Sequence, residues 1–201
     1  MDLTKSDKAL ELSVGAGILI GIGGSVNLAV GGVAGPILFS LGLLTILYFQ
    51  ALLYTGKVGY AERPKDFLFL FYIWLGNLVG AMGTGVLVKA TSSKITMAAQ
   101  LVCESKLQTS HTTLLFKAVM CGFLMFVAVE SFKRLERGST AQVVMIVFPI
   151  SVFILCGFEH CVADMFYFGF LESSFMSAIL RLLTITLGNT IGSLAARKLI
   201  G

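Results

Sequence analysis

The chain has 201 residues, of which 56% are hydrophobic and only 13% are charged. Soluble domains are about one quarter charged, so this composition excludes an ordinary soluble domain and indicates a membrane protein. The net charge of +4 is small and dispersed, which argues against a nucleic-acid partner. A membrane-crossing helix needs about 20 apolar residues, so the length accommodates about six crossings.

The N-terminal half predicts three membrane spans, at residues 12–33, 37–54 and 67–88. The first span is rich in glycine, which lets helices approach each other closely in lipid. The second span runs into Thr55, in a small and polar segment. Such a segment predicts an unwound stretch of chain, which a membrane protein tolerates only where it is buried in protein or lines water.

The C-terminal half predicts three further spans, after the longest polar connection of the chain at residues 91–112. The fourth span covers residues 113–129, the fifth starts near residue 143, and the sixth covers about 177–194. We therefore predict one all-α transmembrane domain over residues 1–201, with six transmembrane helices.

The fifth span contains Glu159, His160 and Asp164 within an otherwise apolar run. Ionisable groups in hydrocarbon are costly unless they face a partner or a wet cavity, so these residues are candidates for a functional site. Asp164 is interpreted as mainly architectural. An isolated histidine also serves as an interhelical hydrogen-bonding group. A membrane enzyme using Cys161, His160 and Asp164 is disfavoured because neighbouring side chains on a helix point in different directions.

The sequence Leu-Gly-Asn-x-x-Gly occurs in the third span and again in the sixth. Its motif residues are Gly76, Asn77, Gly80, Gly188, Asn189 and Gly192. Because each half has an odd number of spans, the repeat must be inverted in the membrane, with halves at about 8–90 and 112–198. Inverted repeats place a substrate path at their interface, between interrupted helices. The alternative is that the motif only packs helices, with asparagine bonding across.

The distribution of basic residues predicts the orientation of the chain in the membrane. With six spans, the N-terminal segment and the loops on its side carry most of the Lys and Arg residues. The other loops and span ends hold only Lys89, Lys94, Lys106 and Arg181. The positive-inside rule then places both termini in the cytoplasm, and we predict a multi-pass protein of the plasma (inner) membrane.

At several of these positions the sequence resembles the formate/nitrite transporter family, which includes the hydrosulfide channels. The matching segments are residues 39–43 and 53–56, 76–81, 157–166, and Gly188-Asn189 with Gly192. The resemblance implies a homo-pentamer. It also implies an aquaporin-like protomer with interrupted second and fifth helices, and one pore in each protomer that passes small monovalent anions.

The resemblance also implies roles for individual residues. His160 resembles the central pore histidine and Thr55 its partner on the interrupted second helix. The remaining carried-over residues are Phe39 and Phe153 as one hydrophobic constriction, Leu43 and Leu53 as the other, Glu159 as the carboxylate beside the histidine, and Lys117 as the basic residue of the vestibule. Leu52 and Gly122 depart from the family pattern, which leaves the substrate open.

These observations predict a channel or transporter for a weak-acid anion such as formate, nitrite or hydrosulfide. A bare anion cannot cheaply cross apolar side chains, and imidazole titrates near neutral pH, so His160 is expected to handle the proton. The expected partners are the anion, the proton, the lipid bilayer and further copies of the chain. No cofactor, metal or enzymatic activity is expected. The alternative is a structural or assembly protein without transport.

Overall fold

The computed structural model describes residues 3–201, with side chains from residue 7 onward, and all regular structure in this range is helical. In chain order the helices are α1 (Leu3–Val30), α2 (Ala34–Tyr48), α3 (Tyr54–Lys57), α4 (Pro64–Thr91), α5 (Ser93–Gln108), α6 (His111–Arg134), α7 (Thr140–Leu155), α8 (Cys161–Phe168) and α9 (Phe175–Ile200). A short 3₁₀ turn, Val58–Tyr60, follows α3. The predicted all-α class is confirmed.

Four helices in the described range, α1, α4, α6 and α9, are long and apolar enough to cross a membrane. A helix rises about 1.5 Å per residue, so each exceeds the roughly 30 Å of a bilayer's hydrocarbon core. The apolar helices α2 and α7 have only 15 and 16 residues. They correspond to the predicted second and fifth spans, but each is too short to cross alone.

The long helices pack most extensively in two pairs, α1 against α4 and α6 against α9. The motif glycines lie at these contacts: Gly76, Gly80, Gly188 and Gly192. A Cβ atom on Gly80 would overlap the carbonyl oxygen of Val14, and one on Gly192 would overlap that of Val119. The glycines therefore allow backbone to approach backbone, which is how helices associate closely in lipid.

Two of the non-helical stretches interrupt predicted membrane spans, residues 49–53 after α2 and residues 156–160 after α7. Gly157 has a φ of 65°, a left-handed conformation that glycine adopts without steric cost. Each break is followed by a short helix, α3 or α8, and these two short helices contact each other. Sequence analysis expected both interruptions, near Thr55 and near His160.

The polar connection predicted at residues 91–112 contains a helix that the sequence analysis did not include. Helix α5 begins after Ser92, whose Oγ accepts the N–H of Ile95 at 3.4 Å, a side-chain cap. It buries Ala99 and Cys103, four residues apart on one face. Hydropathy alone missed α5 because polar residues alternate with its apolar ones, and because a helix that packs on α8 needs no membrane-length apolar run.

Candidate functional site

The two breaks meet at a hydrogen bond between Thr55 and His160. Thr55 is the second residue of α3, and His160 immediately precedes α8. Thr55 Oγ1 and His160 Nε2 lie 2.8 Å apart, and each residue is only 2% exposed. Folding therefore brings together two predicted site residues from opposite halves of the sequence.

The hydrogen bonds of His160 define which ring nitrogen carries the proton. The backbone N–H of Ala163 donates to His160 Nδ1 at 3.1 Å, so Nδ1 presents a lone pair. In this geometry the imidazole is neutral, and Nε2 carries the proton and donates it to Thr55 Oγ1. The ring of Phe153 stacks on the imidazole with a centroid separation of 5.6 Å. His160 thus offers a hydrogen-bond donor next to an aromatic ring.

Two cavities lie close to this pair, one lined by His160 and the other by Gly56, the residue after Thr55. The histidine cavity has a volume of about 420 Å³. The residues lining it that matter here are Phe39, Lys106, Lys117, Phe153, Glu159, His160, Asp164 and Tyr167. The leucine cavity has a volume of about 310 Å³. Its lining includes Leu43, Ile46, Leu53, Gly56, Lys57, Val129 and Lys133. Each cavity has both lysine and apolar side chains in its wall.

Buried apolar side chains border each cavity. Phe39 and Phe153 lie in the wall of the histidine cavity, with ring centroids 6.1 Å apart in an edge-to-face arrangement. Leu43, one turn after Phe39 on α2, and Leu53 lie in the wall of the leucine cavity. All four side chains are at least 97% buried. The structure thus pairs the residues that the resemblance implied as two constrictions.

The histidine cavity contains an ion cluster that sequence analysis did not assemble. The ammonium group of Lys106 pairs with the carboxylate of Glu159 and lies 2.6 Å from Asp164 Oδ1. Asp164 Oδ2 is buried without a hydrogen-bond partner in the described structure. Because one cation serves two buried carboxylates, Lys106 is the main electrostatic support of this wall.

Helix α9 holds the end of α5 that carries Lys106. Arg181 Nε donates to the carbonyl oxygen of Lys106 at 3.0 Å, and a second guanidinium nitrogen donates to the carbonyl of Leu107. Sequence analysis assigned Lys106 only to a polar connection. The available signal was its position three residues after Cys103, which places it on the buried face of α5.

Lys117, the predicted vestibule lysine, also lines the histidine cavity and is half-buried on α6. Within the described residues it forms no salt bridge, whereas Lys106 is occupied by two carboxylates. Lys57 and Lys133 in the leucine cavity are exposed. Both cavities therefore present ammonium groups that favour anions.

Asn189 in α9 brackets the break at His160. Its Oδ1 accepts the backbone N–H of Cys161 at 2.9 Å, and its Nδ2 donates to the carbonyl oxygens of Glu159 and Ala118, both at 2.8 Å. The side chain is completely buried. One amide thus satisfies the peptide groups on both sides of His160 and links them to α6.

Asn77 in α4 forms the equivalent bonds at the other break. Its Oδ1 accepts the backbone N–H of Tyr54 at 2.8 Å. Its Nδ2 donates to the carbonyl oxygens of Leu52 at 2.8 Å and Ser13 at 2.7 Å. The motif asparagines of the two halves therefore have matching bonding patterns, each across one break and onto one long helix.

The arrangement gives little support to the enzymatic alternative. The Cys161 residue is completely buried, and it is not among the residues that line the histidine cavity, whereas His160 and Asp164 are. The described residues contain no group of three or more His, Cys, Asp or Glu side chains suited to a metal ion. The accessible chemistry is that of hydrogen-bond donors and ammonium groups facing two cavities.

The structure is similar to two solved channels. It superimposes on a pentameric formate channel with formate bound, with a TM-score of 0.86, 22% identity, and coverage of 96% of this chain and 94% of that one. An FNT family ion channel gives a TM-score of 0.79 at 23% identity, covering 94% of this chain and 92% of the other. At these identities the likeness shows a shared fold.

Sequence comparisons point to the same group of proteins. The nitrite transporter NirC of Salmonella typhimurium is 28% identical over 173 residues, which are 76% of this chain and 64% of NirC. The formate channel FocA of Escherichia coli is 26% identical over 187 residues, which are 79% of this chain and 64% of FocA. The chain thus spans less than two thirds of either relative.

The comparison with family models covers almost the whole chain. The model of the formate/nitrite transporter family matches residues 3–200, which include both breaks, both motif asparagines and the residues around His160. This family is one of transport proteins, which excludes the enzymatic interpretation. The chain belongs to the formate/nitrite transporter family.

Proposed function

We propose that this protein passes small monovalent weak-acid anions, such as formate, nitrite or hydrosulfide, across the membrane, with His160 handling the proton. The observation that carries the proposal is the His160–Thr55 hydrogen bond. Its histidine lines one lysine-bearing cavity, and Gly56, the residue after its threonine, lines the other. Family membership supports the transport class, and the named substrates of NirC and FocA support the choice of anions.

The apolar borders determine the form in which an acid crosses. Nothing on Phe39, Phe153, Leu43 or Leu53 replaces the hydration shell of an anion, so the charged form faces a large desolvation cost. The ammonium groups in both cavities raise the local anion concentration. At His160 the anion accepts the Nε2–H as a hydrogen bond in place of Thr55. When that proton passes to the anion, the imidazole regains one from water in the cavity, and the neutral acid returns its proton to water on the far side.

The same proposal includes the architecture of the assembly. Six crossings form an inverted three-plus-three repeat, in which α2 with α3 and α7 with α8 are the interrupted crossings of an aquaporin-like protomer. The matching bonds of Asn77 and Asn189 support this correspondence. Five copies assemble in the plasma (inner) membrane with both termini in the cytoplasm. The pentameric formate channel of like fold supports that number.

The test is flux through the purified full-length chain in phospholipid liposomes, measured for formate, nitrite and hydrosulfide over a pH series. His160→Gln retains a hydrogen-bond donor but cannot titrate, so it should lose most of the pH dependence. His111→Gln, at an exposed position on α6, is the matched control and should keep the wild-type profile. No flux in the wild type overturns the transport proposal, and an unchanged profile in His160→Gln overturns the proton role.

A further inference from the structure

The two motif asparagines bond across one particular residue in each break. Asn189 binds the carbonyl before His160 and the N–H after it. Asn77 does the same on either side of Leu53. The straddled residues are the candidate proton-handling side chain in one half and a candidate constriction side chain in the other.

The backbone conformation explains how one asparagine side chain forms hydrogen bonds with two peptide groups. His160 has φ −114° and ψ 112°, and Leu53 has φ −101° and ψ 128°, so both residues are extended. In an extended residue the preceding carbonyl and the following N–H point to the same side. A carboxamide facing that side binds both groups at once, as a neighbouring strand would. The bond pair therefore fixes the backbone torsions of the residue between them.

The pair of hydrogen bonds from each asparagine across its break forms an asparagine bracket. Each bracket also supplies hydrogen bonds that the broken helices lack. A helix end leaves backbone donors and acceptors unpaired, and an unpaired group in an apolar membrane interior is expensive. Asn189 pairs one such carbonyl and one such N–H, and its remaining N–H reaches Ala118 on α6. Asn77 likewise reaches Ser13 on α1. Each break is thereby tied to a rigid long helix.

We infer that Asn189 and Asn77 are positioning residues with separate effects on transport. Asn189 aims the His160 imidazole and so sets the pH dependence of flux. Asn77 aims the Leu53 side chain and so sets the size limit for the anion. This inference rests on the proposed function, because it assigns roles within that transport path.

The test uses Asn189→Asp and Asn77→Asp in the full-length chain. An aspartate retains an oxygen for the backbone N–H but cannot donate to two carbonyl oxygens, so each bracket opens on its carbonyl side. Ser193→Ala and Ser13→Ala are the matched controls. Each removes a buried side-chain hydrogen bond from α9 or α1, with carbonyl acceptors outside the breaks.

Flux of formate and of the larger acetate is measured in liposomes over a pH series. Asn189→Asp should lower formate flux about tenfold, because the hydrogen bond to the Glu159 carbonyl that orients His160 is lost. It should also displace the pH profile while the formate-to-acetate ratio stays constant. Asn77→Asp should change that ratio and keep the pH profile. The serine controls should match the wild type in both respects. Equal loss of flux in both aspartate variants, with profile and ratio unchanged, overturns the inference.

A second measurement does not depend on transport. Amide hydrogen exchange, followed by mass spectrometry, should rise at residues 156–166 in Asn189→Asp and at residues 49–57 in Asn77→Asp, each without change at the other break. Unchanged exchange at both breaks overturns the bracket itself. A wild type without flux but with these local changes instead counts against the proposed function alone. If an aspartate variant fails to fold, the serine substitution at the same position, which adds no charge, replaces it in both measurements.

Discussion

Two buried carboxylates in the wall of the histidine cavity share a single ammonium group. Glu159 and Asp164 are 5% and 1% exposed, and both pair with Lys106. A buried ion pair gains little over an apolar pair of the same shape, but removal of one partner leaves an uncompensated charge. The stability of this wall therefore depends on Lys106 more than on either acid.

We predict that Lys106→Met lowers the free energy of unfolding by about 3 to 5 kcal/mol, the usual cost of orphaning a buried charge. Thermal unfolding of the purified protein in detergent measures the change. Adding Asp164→Asn to Lys106→Met removes one of the two orphaned carboxylates and should recover part of the loss.

Lys117→Met is the matched control for that experiment, because Lys117 lines the same cavity and has no salt bridge in the described structure. It should unfold near the wild-type temperature while reducing anion entry. Equal thermal stability of Lys106→Met and Lys117→Met would contradict the assignment of Lys106 as the support of the two acids.

At the scale of the helices, the close pairs α1–α4 and α6–α9 form the frame on which the breaks are held. Both asparagines project from this frame, Asn77 from α4 and Asn189 from α9. The glycines on either side of each asparagine bring the paired backbones close enough for its amide to reach a carbonyl of the partner helix. Packing and site geometry are thus consequences of the same motif.

We predict that Gly80→Ala and Gly192→Ala destabilise the protein by about 1 to 3 kcal/mol, the usual cost of overpacking. The added methyl group would overlap the carbonyl oxygen of Val14 or of Val119. Gly83→Ala, on the same helix as Gly80 but with no atom within 4 Å of its added Cβ, is the control. It should be neutral or slightly stabilising, because alanine favours helix. Unfolding temperatures of the three variants measure this loss of stability. Equal temperatures would contradict the prediction, because they would show that the paired helices accommodate the added methyl group without loss of stability.

The surface of the whole molecule is strongly apolar. Large hydrophobic side chains are exposed along the long helices, including Leu68, Leu87, Phe116 and Met176. In a monomeric soluble protein such a surface would aggregate, whereas in a membrane it faces lipid or neighbouring subunits. In the pentamer proposed above, part of this surface is covered by further copies of the chain.

We therefore expect the protein to remain a pentamer when it is extracted in a mild detergent. Native mass spectrometry measures the number of chains directly, and light scattering during gel filtration checks it. The variant Gly83→Ala, which should leave the protomer intact, serves as a second sample of the same assembly. A mass that corresponds to a single chain under all extraction conditions would contradict the pentamer.

Much of the fold follows from local sequence properties. The apolar runs predict the long helices, because exposing that much apolar surface to water is unfavourable and a chain in lipid pairs its backbone groups within a helix. The polar residues near Thr55 and His160 mark the breaks, because unpaired backbone in lipid must find partners nearby. The family resemblance, now confirmed by a match over residues 3–200, supplied the candidate site residues.

The sequence by itself determined that this is an all-helical membrane protein of the formate/nitrite transporter family, with two polar breaks. Only the tertiary structure decided that α5 forms in the polar connection, that Lys106 pairs with both Glu159 and Asp164, and which peptide groups the motif asparagines bind. The physical reason is that these contacts join residues far apart in sequence. Local hydropathy does not encode where three helices converge, and both ion pairs and hydrogen bonds depend on distances of a few ångström.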